Sequence, residues 1–509
     1  MARLPILLLL CCASAGCSSS GQRFLARRAQ TVSAEPTQVS EQRGPGSGSD
    51  GVVISEAANE VETVDYQAAT ASPSDTAQPR ANSFAINLPT ALAYVDGQHP
   101  VVGQARWRVR EAYAEFDAAR ALWLPSLRVG FSFHRHDGNY QASNGQIVDV
   151  NRNSFQYGLG DSANGAGTTQ RPGLRAEFHL ADAILQDDIT RKTAWAQGHA
   201  ASATTNRQLL EAALAYTELL AAHQDRQILQ ESQQRFASLK RITDDFAETG
   251  AGLQADARRT SAERLLNQSR LLESDEAIAL RAARLARIIS LPQASQLVPM
   301  DISIVPLDWG LDQDSQASLI ATALSNRPEL KESQALVSAA CDAYRKEKLS
   351  PWLPSVLLGF SSGGFGGGLG NDLDNVDSRY DFDAAVAWQV RHLGFGEKAA
   401  RKGSAARVQQ AKFEKLARLD QVASEVAEAY QSVIWRRQRM DLNQAAIEQA
   451  RESYRLNLER IRDGQGLPIE VLQSAQALEA AQRSYLRSVV DYNLAQHQLQ
   501  WALGWPPSA

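Results

Sequence analysis

An internal duplication constrains the fold of this chain more than any other feature of its sequence. Five pairs of identical residues are separated by the same 214 positions: Tyr216 and Tyr430, Gly250 and Gly464, Gly252 and Gly466, Leu253 and Leu467, and Pro292 and Pro506. A constant offset over such a span indicates that one structural unit was copied. We therefore predict a first repeat over 85–292, a connector over 293–314 and a second repeat over 315–505.

Each repeat changes its hydrophobic period from helical to two directly after a Leu-Pro-Ser segment, at Leu124 and at Leu353. The alternation predicts strands that open at Leu127 and at Val356, and further strands near 174–180 and 382–391. Gly/Asn/Asp-rich loops are predicted between them, over 137–170 and 362–380. Strict alternation over roughly ten residues is typical of transmembrane β-strand pairs. A solvated hairpin on a soluble core alternates in the same way, so the period alone leaves both interpretations open.

The remainder of each repeat predicts long helices, because proline is absent between Pro172 and Pro292 and glycine is rare there. The predicted helices run over 184–248 and 254–289 in the first repeat, and over 397–462 and 468–503 in the second. Shorter helical segments are predicted over 90–122 and 315–349. At about 1.5 Å per residue, the longer helices reach about 100 Å.

The last helix shows what such helices pack against. Large residues recur there every seven positions, at Val471, Leu478, Tyr485, Tyr492 and Leu499, and small residues recur on a neighbouring row, from Ser474 to Ala502. This pattern favours coiled-coil packing with close backbone approach. A two-helix hairpin would leave much of the surface exposed, so we expect neighbours from the other repeat and from other chains.

The N-terminus has the layout of a secretory signal, which we place at 1–16. Arg3 precedes an apolar run from Leu4 to Cys12, and small residues follow it. Two processing routes stay open: cleavage after Ala15, or cleavage before Cys17 with acylation of its thiol. We favour Cys17 as a lipid anchor. Residues 17–84 are rich in Ser, Gln, Gly and Ala, which predicts a flexible leader or tether.

Composition and motifs exclude several classes of protein. The chain has 52 basic and 57 acidic residues, so it offers no basic field for nucleic acid. Beyond the signal, no apolar stretch reaches the roughly 18 to 20 residues that a membrane-spanning helix needs. No histidine cluster, phosphate-binding loop or nucleophile motif occurs in a suitable context. We predict no catalytic, cofactor-binding or metal site, and no enzyme.

In their joint order, the motifs resemble those of the TolC family of outer-membrane efflux channels. The motifs are the segments Gly97 to Pro100 and Ser325 to Leu330, the Leu-Pro-Ser strand openings, the Ala-Tyr pairs that end at Tyr216 and Tyr430, and two Gly-x-Gly-Leu turns. The resemblance covers about 85–505. It implies a homotrimer in the outer membrane with a long periplasmic portion. In such a trimer, four strands per chain close a twelve-stranded transmembrane β-barrel, and the long coiled-coil helices form a periplasmic α-helical barrel.

The resemblance also implies a function and partners. Family members are passive conduits from the periplasm to the exterior, in tripartite efflux or type I secretion systems. They dock a periplasmic adaptor (membrane fusion) protein, and an inner-membrane pump supplies the energy. The alternative is a periplasmic coiled-coil adaptor or structural stalk protein. An adaptor should carry a single hairpin between compact β-domains, whereas this chain has a duplicated unit.

Two helix-to-helix turns resemble the periplasmic tips that family members present to adaptors. The docking residues implied by the resemblance are Gly250, Gly252, Leu253, Gly464, Gly466 and Leu467. Glycine permits the chain reversal, and Pro468 suits the first turn of the next helix. The other interpretation is that these segments are only efficient turns. The sequence does not identify the exported substrate, because a conduit's cargo is selected mainly by its pump.

Overall fold

The computed structural model describes residues 83–124, 126–161, 172–250, 252–291, 296–310, 314–374, 376–463 and 465–506. The predicted signal at 1–16 and its candidate lipid anchor Cys17 lie outside these residues. The predicted leader over 17–84 also lies outside them, apart from its last two residues. Ser83 and Phe84 belong to strand β1 (Ser83–Ile86), so an ordered element begins before the predicted boundary at 85.

Eight α-helices are found in the described part of the chain. They are α1 (Leu88–Gln98), α2 (Pro100–Arg120), α3 (Leu180–Glu248), α4 (Gln254–Ile288), α5 (Gln316–Asn326), α6 (Pro328–Leu349), α7 (Phe395–Arg462) and α8 (Pro468–Ala502). The four long helices α3, α4, α7 and α8 confirm the prediction, with ends that differ by at most four residues from those predicted. Among the described residues, none of these helices is both long enough and apolar enough to cross a membrane.

The predicted helices over 90–122 and 315–349 are each two helices. The breaks fall at His99 and Arg327, whose backbones are extended at ψ 124° in both cases. Each of these residues precedes a proline, which disfavours the helical conformation of the residue before it. The proline then begins the next helix, where its missing N–H has no cost.

The main sheet contains β2 (Ser126–Gln141), β3 (Ile147–Asp161), β4 (Pro172–His179), β6 (Ser355–Gly366) and β7 (Asp377–Ala387). All pairings are antiparallel, and β3 and β4 lie end to end between β2 and β6. The five strands therefore occupy four positions, with β2 at one edge and β7 at the other. Neither edge strand has a partner on its outer side among the described residues.

The prediction of a loop over 137–170 is wrong for the end of β2, which extends to Gln141, and for the whole of β3. The chain reverses at Gly145, which has φ +85°, and the N–H of Ala142 donates to the carbonyl of Gln146 at 2.8 Å. Strand β3 escaped prediction because Asp149, Asn151 and Asn153 interrupt its apolar alternation. The loop predicted over 362–380 is likewise shorter, and the last predicted strand ends at Ala387 rather than 391.

The register places most of the large apolar residues of the sheet on one face. Phe360 pairs with Phe382, and Val356 pairs with both Phe178 and Val386. Phe131 and Phe382 on this face are 78% and 72% exposed. The opposite face is polar: the Nε of Arg379 lies 3.0 Å from an Asp381 carboxylate oxygen, and His179 bonds the Ser355 hydroxyl at 2.8 Å. The predicted alternation is confirmed, and in the single chain its apolar face is uncovered.

The helices form one row whose order changes along its length. Close to the sheet the order is α2, α3, α6 and α7, and beyond it the order is α4, α3, α8 and α7. A small parallel pairing of β1 with β5 (Gln296–Pro299) covers one buried cluster, which includes Leu219 and Leu285. The row ends with α2 and α4 on one side and with α7 on the other.

Candidate functional site

The first tip joins α3 to α4 by a turn that requires glycine at two positions. Gly250 has φ +74°, a conformation that side chains other than glycine rarely adopt. The N–H of Gly252 donates to the carbonyl of Phe246 at 2.8 Å. A Cβ at Gly252 would lie 2.9 Å from the Cβ of Phe246, closer than packed carbon atoms approach. The turn leaves Leu253 exposed by 68% at the start of α4.

The second tip joins α7 to α8 in a related way. The N–H of Gln465 donates to the carbonyl of Arg460 at 2.9 Å, and a Cβ at Gly466 would lie 2.9 Å from the backbone N of Ile461. Leu467 is exposed by 60% and precedes Pro468, the first residue of α8. Gly464, the remaining predicted tip residue, lies outside the described residues.

The two tips lie at the same end of the helical row. A buried cluster next to them joins Phe236 and Leu239 of α3 to Ile461 of α7 and to Val471 and Leu472 of α8. The structure therefore brings together Gly250, Gly252, Leu253, Gly466 and Leu467, although the first three and the last two are more than 200 positions apart. Packing of large side chains from three helices fixes the separation of the tips.

Acidic residues near the tips have basic partners. The amine of Lys240 binds the Asp244 carboxylate, the Arg259 guanidinium lies 3.8 Å from Asp256, and Arg460 lies 3.1 Å from Glu470. The Arg460–Glu470 pair bridges the end of α7 and the start of α8. These three contacts offset part of the acidic charge at the tips, where the exposed leucines are the main apolar feature.

A buried polar network lies farther from the tips, where α3, α4 and α8 meet. Glu479 accepts hydrogen bonds from the Ser232 hydroxyl, from the Asn267 amide at 3.2 Å and from Arg270 at 3.2 Å. Arg270 also donates to Glu263 at 3.2 Å. The side chains of Glu479 and Glu263 are only 7% and 9% exposed, so one guanidinium serves two carboxylates that have little access to water.

Sequence reasoning missed this network. Glu263 and Glu479 stand among many polar residues of long helices, and isolated Glu residues in such helices usually face water. A usable signal was that Glu479 directly follows Leu478, one of the large residues that recur every seven positions in α8. A charged residue beside a core seam indicates a buried polar contact only when its partner is known.

A second buried charge lies at the break between α5 and α6. The Arg327 guanidinium bonds both Glu329, at 3.0 Å, and Glu425 of α7, and it stacks 4.2 Å from the ring centre of Trp501. Burial lowers the pKa of Arg327, but the two carboxylates outweigh burial and raise the pKa above its usual value. Arg327 thus ties the α5–α6 break to α7 and to the end of α8.

Two polar side chains, those of Asn493 and Tyr216, hold the connector between the repeats. Asn493 of α8 accepts from the N–H of Leu307 at 2.9 Å and donates to the carbonyl of Val305 at 2.8 Å. The hydroxyl of Tyr216 in α3 donates to Asp301, and burial together with this bond raises the tyrosine's pKa far above its usual value. The connector over 293–314 therefore contacts helices of both repeats.

In the part of the chain that the structure describes, no group of three or more His, Cys, Asp or Glu side chains could hold a metal ion. His134 and His136 lie in β2, where the His136 ring is 6.1 Å from that of Tyr140. The Gly359–Gly363 segment, which has the spacing of a nucleophile motif, lies within β6. The strand continues to Gly366 instead of turning into the helix that such a motif needs.

Comparisons with known proteins find one matching family model and several solved structures with a similar architecture. The family model described as outer membrane efflux protein matches residues 319–505. No curated protein matches the chain in sequence. The described fold resembles several solved outer-membrane channels, each at 16% sequence identity. The outer-membrane channel OprN has a TM-score of 0.69, with 82% of this chain and 91% of that chain covered.

Two further solved structures agree. The outer membrane protein VceC from Vibrio cholerae has a TM-score of 0.68, with coverage of 82% of this chain and 96% of that chain. The Campylobacter jejuni CmeC outer membrane channel has a TM-score of 0.69, with coverage of 82% and 85%. At this identity the structural likeness shows the fold.

Proposed function

We propose that the chain is a member of the outer membrane efflux protein family, whose model matches residues 319–505, and that three copies close into one continuous conduit. Members of this family form channels rather than enzymes. The protein is then the outer-membrane channel of an efflux system, with a helical portion in the periplasm.

The proposal rests on one observation: among the described residues, each of the two sides of the chain ends in a strand and in helices that have no partner on their outer side. One side presents β2, α2 and α4, and the other presents β7 and α7. The sides differ, so contact between copies is head to tail, and such contacts form a ring when the rotation closes. A strand edge within lipid must be paired, and a neighbouring copy's β7 is a suitable partner for β2.

Both helical sides expose apolar residues that a neighbouring copy would cover. The exposed residues on the first side are Trp107 and Tyr113 of α2 and Leu265, Leu266, Leu272 and Leu280 of α4. Those of α7 are Phe413, Leu416, Trp435, Leu442 and Leu456. Groups of exposed large apolar residues are typical of interaction sites. These two sets are the proposed subunit interface.

Four strand positions per chain give a twelve-stranded barrel in a trimer. The uncovered apolar face of the sheet, with Phe131 and Phe382, would meet lipid, and the polar face with Arg379 and Asp381 would line water. The repeated order of two short helices, strands and two long helices supports a duplicated unit over 85–292 and 315–505. Acylation of Cys17 would add a lipid anchor to the same membrane.

We further propose that the tips dock a periplasmic adaptor, which connects the conduit to an inner-membrane pump. The support is the pair of exposed leucines, Leu253 and Leu467, at one end of the row on turns that glycine holds tightly. An exposed leucine on a rigid turn suits a small apolar pocket on a partner, because little conformational entropy is lost on docking.

The test of assembly is a double variant on the proposed interface, compared with a single-substitution control. Trp435→Glu with Leu442→Glu places two charges on the exposed side of α7. We expect native mass spectrometry of the detergent-extracted protein to show a trimer for the wild type and monomer for this variant. Glu448→Gln, also exposed on α7, serves as the matched control and should stay trimeric.

A wild-type protein that is monomeric, or trimers that persist in the double variant, would contradict the proposed interface. A soluble wild-type chain that never enters the outer-membrane fraction would instead favour the adaptor or stalk alternative.

A further inference from the structure

A groove with a cationic lining runs between α3, α6 and α7 in the part of the helical row that is near the sheet. Its volume is about 570 Å³, within the range of about 300 to 1,000 Å³ that small-molecule sites occupy. Three lysines line it: Lys192 of α3, Lys331 of α6 and Lys415 of α7. We refer to this cavity as the lysine groove.

The charge of the lysine groove is not compensated locally. Its lining contains no carboxylate. Lys192 is neutralised by Asp342, but the amine of Lys415 donates to the neutral oxygen of Gln334. Among the described residues, no carboxylate forms an ion pair with either Lys331 or Lys415. Two ammonium groups thus line one groove without a bonded carboxylate among the described residues, so an anion that binds there gains attraction from both.

The rest of the lining is apolar and aromatic. Trp195 is 49% exposed, and Leu324, Leu330 and Leu419 contribute further apolar surface. His199 also lines the groove, and burial together with the charge of Lys331 lowers its pKa, so the imidazole is neutral at pH 7. The flat indole ring of Trp195, next to the ammonium groups of Lys331 and Lys415, suits an anion that has an apolar body.

The position of the groove limits its occupant. Trp195 lies 15 residues after Leu180, the first residue of α3, so it is about 22 Å along the helix from the sheet. Membrane lipid that surrounds the sheet would not reach this depth. The groove is open to the surface, and residues of one chain, from α3, α5, α6 and α7, form its lining.

We propose that the lysine groove binds a soluble organic anion with an aromatic body, such as an aryl sulfonate or aryl carboxylate. The acidic group lies between Lys331 and Lys415, and the ring packs against Trp195. Such a site on the wall of the helical portion goes beyond the conduit function, because it gives this chain an affinity of its own for one chemical class.

The test uses the full-length protein in lipid nanodiscs and 2-naphthalenesulfonate as the probe, with binding measured by isothermal titration calorimetry. We expect the wild type to bind the sulfonate and to bind neutral 2-naphthylmethanol at least about tenfold more weakly. Lys331→Gln with Lys415→Gln should raise the Kd for the sulfonate by at least about tenfold. Lys402→Gln, an exposed lysine on α7 outside the groove, should leave the Kd unchanged.

Three results would overturn the proposal: no binding by the wild type, equal affinity for the neutral analogue, or equal losses in the double variant and in the control. A direct readout covers the case in which the double variant fails to fold. Cryo-electron microscopy of the wild type with 6-bromo-2-naphthalenesulfonate should show density for the ligand between Lys331 and Lys415. Density only elsewhere, or none, would contradict the site.

Discussion

In the sheet, large apolar side chains such as Phe131 and Phe382 are exposed, whereas in the helical hairpins carboxylates such as Glu263 and Glu479 are buried. The two regions of one chain thus distribute polarity in opposite ways. An exposed apolar face suits a lipid solvent. A buried polar network suits helices that must meet in one register, as single polar residues do in coiled coils. This difference is what the proposed placement requires, with hydrocarbon around the sheet and water around the hairpins.

The largest expected effect comes from placing a charge on the apolar face of the sheet. Phe382→Arg should make insertion less favourable by about 2–4 kcal/mol per chain if the residue lies near the bilayer midplane. We expect the amount of protein in the outer-membrane fraction, separated by density gradient and measured by immunoblot, to fall strongly.

The matched control is Ala385→Arg, on the polar face of the same strand β7. It should insert almost as well as the wild type. Equal losses for the two variants would show that the faces do not differ in their environment, and the comparison between the regions would fail.

The next effect concerns the buried network of the hairpins. Arg270→Met removes the guanidinium that is hydrogen-bonded to both Glu263 and Glu479, so these two buried carboxylates lose their shared cationic donor. We expect a loss of about 3 kcal/mol in the free energy of unfolding, measured by urea denaturation. A second change, Glu479→Gln, should recover part of this loss because it removes one of the uncompensated charges.

Arg259→Met on the same helix α4 is the control, since Arg259 is 62% exposed and lies 3.8 Å from Asp256. Its loss should stay below about 0.5 kcal/mol. If Arg270→Met is as mild as Arg259→Met, the network contributes no more than a surface ion pair.

A pH effect should appear at His497, which is buried in α8 with its ring 5.1 Å from that of Trp309. Burial lowers the pKa of His497 to about 4, whereas in the unfolded chain the pKa is about 6.5. Between these values the unfolded state binds more protons than the folded state, so stability falls as the pH is lowered through this window. We expect a loss of about 2 kcal/mol between pH 8 and pH 5 that depends on this side chain.

Urea denaturation at both pH values measures this loss, and His497→Gln should reduce the pH dependence by about the same amount. A variant whose stability changes with pH as much as that of the wild type would show that His497 does not carry the effect.

The smallest effect on stability is expected at the tips, where exposed leucines lie at the ends of the helical hairpins. Leu253→Ser with Leu467→Ser should leave the unfolding free energy within about 0.5 kcal/mol of the wild type, because both side chains are exposed. We expect the same variant to lose binding to its adaptor in a pull-down with the cognate adaptor protein. Ile302→Ser, which is 91% exposed in the connector and outside the proposed subunit interface, should keep adaptor binding, and retained binding by the tip variant would contradict the docking role.

Much of the hairpin region could be predicted from the sequence, and less of the sheet. Gly250, Gly252 and Pro468 mark the helix ends, because proline and glycine act through local backbone geometry. Strand β3 was missed because Asn153 and its polar neighbours hide the alternation. The side chain of Asn153 instead bonds the carbonyls of Gly370 and Asp372, at 3.1 and 3.0 Å, in a loop more than 200 residues away.

The buried network was missed for the same physical reason. Whether Glu479 is buried depends on Ser232, Asn267 and Arg270, which come from two other helices and are not identifiable from the period of α8. Local rules predict where elements begin and end, whereas the partners of a buried polar group depend on tertiary packing.

The proposed three-copy conduit is tested most directly by cryo-electron microscopy of the full-length protein in lipid nanodiscs. We predict a three-fold particle in which β2 of each copy pairs with β7 of the next, with α4 and α2 against the neighbour's α7 and the tips at the end farthest from the lipid. Helices of this length require a helical portion of about 100 Å. A particle without three-fold symmetry, or one in which the edges of β2 and β7 face solvent, would contradict it.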